Sequence, residues 1–71
     1  MLEKKRLAEN ERLKGNECMK SLDFQLALQC YSRSLELFPD DPATYSNRAQ
    51  TYLNIKDYSK AIQDANHALK F

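Results

Sequence analysis

The feature that most constrains this chain is that it repeats. Shifted on itself by 34 residues, the sequence places Asp23 on Asp57, Ala27 on Ala61, Gln29 on Gln63 and Leu35 on Leu69. Phe24 meets Tyr58, Leu28 meets Ile62, Gly15 meets Ala49 and Met19 meets Leu53. Small residues fall on small and large on large, as two copies of one packing unit require. A period in this range signals stacked supersecondary units that share a continuous core. At 71 residues there is room for two such units in one small domain.

Spacing within each unit is helical. A first helix is expected from about Leu2 to Lys20, with Leu7, Ala8, Gly15, Cys18 and Met19 on one side and Glu11 in the middle of that same face. A second follows Asp23, whose carboxylate suits an N-cap, and carries Phe24, Ala27, Leu28, Tyr31, Leu35 and Phe38 inward until Pro39 stops it. Asp41 and Pro42 open a third, with Tyr45, Ala49, Tyr52 and Leu53 inside. Asp57 opens a fourth, with Tyr58, Ala61, Ile62, Ala65, Ala68 and Leu69 inside. One glycine and two prolines are too few for a turn-rich β protein. Short links force antiparallel neighbours, so the fold expected is all-α, two helical hairpins.

Several function classes are disfavoured. His67 stands alone, without a nucleophile arrangement, and Cys18 and Cys30 make no metal spacing, so neither catalysis nor a metal or cofactor is expected. The two thiols read as small reduced hydrophobes of an intracellular, cytoplasmic chain. Gly15 is isolated and forms no phosphate-cradling loop. Lys4, Lys5, Arg6, Arg12, Lys14 and Lys20 alternate with Glu3, Glu9, Glu11 and Glu17, which suits a salt-bridged surface. With a formal charge of +1, nucleic acid is not an expected partner. The longest apolar run is Leu26 to Leu28, too short for any membrane span.

What is left is binding. On the helical projection Arg12 and Asn16 share a face with Glu9 and Lys20. If the hairpins stack, the first helix of each lines a groove, and Asn47 lies near the start of the second lining helix. An arginine fork and two carboxamides can hold a carboxylate, Arg12 by charge-assisted hydrogen bonds and the asparagines through their N–H donors. Met19, Lys20, Gln50 and Asn54 are expected along the same groove.

Gly15-Asn16, the run from Asp23 to Ser32 (D-F-x-x-A-L-x-x-Y-S), Pro39, Y-S-N-R-A from Tyr45 to Ala49 and D-Y-x-x-A-I-x-D from Asp57 to Asp64 resemble the tetratricopeptide repeat. On that resemblance residues 1–71 form a single domain, with one repeat at about 8–41 and a shortened second at about 42–71. R-L-K-G-N, A-L-Q-C-Y-S and Y-S-N-R-A look like the tetratricopeptide domains of chaperone adaptors, which grip the acidic C-terminal tails of Hsp70 and Hsp90. The resemblance implies part of a carboxylate clamp at Arg12, Asn16 and Asn47. Arginine stands where the clamp usually has lysine, and Asn54 where a further lysine is often found. The lysine and arginine that complete such a clamp belong to a third repeat. The resemblance therefore implies a non-catalytic co-chaperone or assembly adaptor, with a purely structural, oligomerising element as the alternative. An α-solenoid fragment without a capping helix is also expected to self-associate through its last helix, with Phe71 adding an aromatic.

Overall fold

The computed structural model describes residues 2–70. Four helices follow one another, α1 (Leu2–Lys20), α2 (Phe24–Leu37), α3 (Pro42–Asn54) and α4 (Tyr58–Lys70), and no strand occurs among the described residues. Each helix packs on the next, giving two antiparallel hairpins, α1–α2 and α3–α4, joined through α2 and α3. This is the architecture expected from the 34-residue period.

The period extends to the backbone of the turns. The amide of Leu22 donates to Met19 O and that of Asp23 to Cys18 O, at 3.0 and 2.8 Å. Thirty-four residues on, Lys56 donates to Leu53 O and Asp57 to Tyr52 O, at 3.0 and 2.9 Å. Both are Schellman closures, and both put their pivot in the left-handed region, Leu22 at φ 61° and Lys56 at φ 66°. Neither pivot is glycine, so each turn carries a strain of about 1–2 kcal/mol that the surrounding packing must offset. The caps fall where the aspartates predict. Asp23 Oδ1 accepts from Leu26 N at 3.3 Å, Asp41 Oδ1 from Ala43 N at 3.1 Å, and Asp57 Oδ1 from Lys60 N at 3.3 Å.

The core is built from small residues at close crossings: Ala8, Gly15, Ala27, Ala49 and Ala61 are buried, with Tyr31 and Leu35 filling the space between them. Cys30 is buried as expected, while Cys18 is only half-buried, and both thiols are free. Burial and the neighbouring Cys30 push the Cys18 thiol pKa up. Glu11, the charge on the inner face of α1, is met from α2 by Arg33 at 3.5 Å and along its own helix by Lys14 at 3.6 Å.

Three expectations need correction. Of the apolar residues expected inside α4 only Ala61 and Ala68 turn inward, beside the buried Asp64, whereas Tyr58, Ile62, Ala65 and Leu69 are exposed. The helix has two apolar faces, and α3 covers one. On α3, Leu53 is exposed, and Thr44 and Thr51 take the buried positions beside Ala49. Their hydroxyls are satisfied locally, Thr44 by Asp41 Oδ2 at 2.8 Å and Thr51 by Asn47 O at 2.9 Å, which is why polar residues are tolerated there. Leu7 is exposed because the packed stripe of α1 runs through Ala8, one step of about 100° further round. Phe71 lies outside the described residues.

Candidate carboxylate-binding site

Asn16 and Asn47, 31 positions apart in sequence, meet where α1 and α3 come together. Asn47 donates through Nδ2 to Asn16 Oδ1 at 3.0 Å, and the same oxygen accepts the Tyr31 hydroxyl of α2 at 2.6 Å. One carboxamide oxygen thus ties three helices. Its two donors occupy both lone pairs of Asn16 Oδ1, and the Nδ2 hydrogens of Asn16 have no hydrogen-bond partner among the described residues. A second α1–α3 contact lies beside the first, with Thr51 Oγ1 3.0 Å from Met19 Sδ.

Tyr31 is 1% exposed, and burial, reinforced by the adjacent thiols and opposed by Arg12, raises its hydroxyl pKa to about 12. The group is therefore a phenol, able to donate, across the whole physiological range. Sequence reading sees in Tyr31 only a core ring. Its hydrogen bond to Asn16 depends on how the two helices cross, which no local pattern encodes.

Arg12 shares a face with Asn16 but reaches a different partner. Its Nε lies 3.8 Å from Asp41 Oδ2, the carboxylate that caps α3, and both side chains are about one-fifth exposed. Arg12 and Asp41 line a recess of about 280 Å³ with Lys5, Ala8, Glu9 and Phe38. The Lys5 ammonium sits 5.5 Å from the centre of the Phe38 ring. Lys5 is a further cation beside the expected site, on the face of α1 that carries Arg12 and Asn16 at helical spacing. Of the expected groove residues, Met19 is half-buried against Thr51, Lys20 is exposed and pairs with Glu17 at 3.6 Å, and Gln50 and Asn54 are exposed.

Behind the asparagines α3 is fastened by Arg48. Its Nε and Nη2 hold Asp64 Oδ2 and Oδ1 at 2.6 and 2.9 Å, and Nη1 donates to Ser32 Oγ at 3.1 Å. Tyr45 and Tyr52 flank the guanidinium, their ring centres 5.8 and 5.9 Å from its carbon. A fork across two helices, placed immediately after Asn47, sets how α3 presents that asparagine.

Residues 30–63, one full period from the middle of α2 to the middle of α4, match the family model described as the tetratricopeptide repeat. The chain belongs to the tetratricopeptide repeat family. It is 33% identical over 67 residues to the small glutamine-rich tetratricopeptide repeat-containing protein 2 of Saccharomyces cerevisiae, a match covering 94% of this chain and 19% of that protein. It is 42% identical over 69 residues to the human mitochondrial import receptor subunit TOM34, covering 97% and 21%. With the heat shock protein sti1 homolog of Schizosaccharomyces pombe it shares 40% over 63 residues, covering 89% and 11%. The tetratricopeptide chain thus spans about a fifth or less of the length of these relatives. No described helix is long and apolar enough to cross a membrane.

Proposed function

We propose that this tetratricopeptide chain is a non-catalytic cytoplasmic module that holds the acidic C-terminus of a partner protein, of the kind carried by the Hsp70 and Hsp90 chaperones. The observation that carries this reading is the Asn16–Asn47 hydrogen bond, which joins two carboxamides at the α1–α3 seam and leaves Asn16 Nδ2 free to donate. A terminal carboxylate takes several donors at once, and the nearby guanidinium of Arg12 adds a charge-assisted one. The similarity to a relative named for heat shock supports the chaperone assignment. In this reading Arg12 exchanges Asp41 for the ligand carboxylate, and Lys5 stands by for an acidic side chain of the peptide.

The test is the binding of a fluorescent acidic peptide with a free C-terminus. Affinity is expected to fall as salt rises, because the cations are partly exposed. Arg12→Ala should weaken binding about tenfold or more, the worth of one hydrogen bond to a charged group. Asp41→Asn, which keeps an N-cap and removes the competing charge, should strengthen it. Binding that neither substitution changes would refute the assignment. The alternative role, an assembly element, is favoured by the exposed apolar stripe Tyr58, Ile62, Ala65 and Leu69. It predicts the same indifference to Arg12, together with a mass in light scattering that rises with concentration.

A further inference from the structure

Tyr31 has no counterpart in the second hairpin. One period on, Ala65 stands in its place, with Ala49 for Gly15 and Gln50 for Asn16. Helices α3 and α4 pair without such a ring, so pairing at this register does not by itself demand a tyrosine. In the first hairpin the ring lies so close to α1 that a Cβ on residue 15 would stand 2.5 Å from Cε1, 2.7 Å from Cδ1 and 2.9 Å from Cζ of Tyr31. Gly15 admits the ring, and the ring carries its hydroxyl to within 2.6 Å of Asn16 Oδ1.

We propose that Tyr31 is a positioning residue for carboxylate recognition: through the gap left by Gly15 it donates to Asn16 Oδ1 and so holds the amide with Nδ2 presented to the ligand. This inference rests on the carboxylate-binding reading above and adds to it the group that orients the donor. Asn47 alone cannot set that orientation. Both carboxamides could turn over together, with Asn47 Oδ1 then accepting from Asn16 Nδ2, and their mutual hydrogen bond would survive. The turned pair would face the ligand with the Asn16 oxygen and repel a carboxylate. Tyr31 removes that choice. With Asn16 turned, its hydroxyl could only accept, and its own hydrogen would be left unpaired at a buried site. With a pKa of about 12 the hydroxyl keeps that hydrogen wherever the protein works.

The experiment compares the wild type with Tyr31→Phe, which retains the ring. Each is titrated with an acidic peptide carrying a free C-terminus and with the same peptide amidated. The variant should bind the free acid about 3- to 10-fold more weakly, the range for one neutral hydrogen bond, and bind the amidated peptide as the wild type does. Its Asn16 side-chain amide resonances should also move in the absence of peptide. A loss of stability alone would lower the melting temperature without narrowing the ratio between the two peptides. A variant that folds and keeps the wild-type ratio overturns the positioning role and leaves the carboxylate reading intact. A wild type that does not distinguish the two peptides ends both. If Tyr31→Phe does not fold, the wild type still decides. A slowly exchanging Tyr31 hydroxyl proton with a cross-peak to the Asn16 side chain is the expected signal, and its absence overturns the proposal.

Discussion

Arg48→Ala should destabilise the chain by about 3–5 kcal/mol, the range for removing one partner of a buried ion pair. Asp64 is 3% exposed, and without the guanidinium its carboxylate would remain in the α3–α4 interface with no compensating charge. The hydrogen bonds that Arg48 donates to Asp64 push the Arg48 pKa up against the opposing effect of burial. Ser32 would lose its donor from the second hairpin, so the α2–α3 seam weakens with the α3–α4 one. A folded domain of this size has a total stability of only about 4–10 kcal/mol, so the variant should lose about a third of it or more. Urea titration followed by far-ultraviolet circular dichroism measures this. Replacing both partners with apolar residues should recover much of the loss, because the penalty belongs to the orphaned charge. A loss for Arg48→Ala below about 1 kcal/mol would mean the pair behaves as a surface one.

Tyr31→Ala should produce a loss of similar size by another route, about 3–5 kcal/mol from deleting a fully buried ring. The cavity would open beside Gly15, which has no side chain to fill it, and Asn16 Oδ1 would keep Asn47 as its remaining donor. Tyr31→Phe should lose much less, about 0.5–1.5 kcal/mol for one hydrogen bond. Thermal melts of the two variants separate the packing of the ring from the work of its hydroxyl. Equal melting temperatures for wild type and Tyr31→Ala would place the ring outside the core.

Much of the architecture is legible in the sequence, because the information is local and stated twice. Asp23, Asp41 and Asp57 mark the starts of three helices, and the aligned alanines mark the close crossings. Asn16 and Asn47 can be proposed together because the resemblance links them across 31 residues, and the structure joins them directly. The partners of the polar residues are much less visible. Arg48 reaches Asp64 and Ser32 on two different helices, and Arg12 turns to Asp41, already accounted for as a cap. Such pairings depend on helix crossing angles. Thr44 and Thr51 do not stand out in the inner face of α3, because their burial relies on hydroxyls bonded within α3 and its cap. The stripe of α4 reads as core because periodicity marks an apolar face without saying whether anything covers it.

Carboxylate recognition is measured most directly by a titration of the isotope-labelled chain with an acidic peptide, read at the side-chain amide signals of Asn16 and Asn47. Both pairs of signals should move with the free C-terminus and stay in place when the same peptide is amidated, since the carboxylate is what Asn16 Nδ2 would meet. Identical movements with the two peptides, or movements confined to α4, would contradict it.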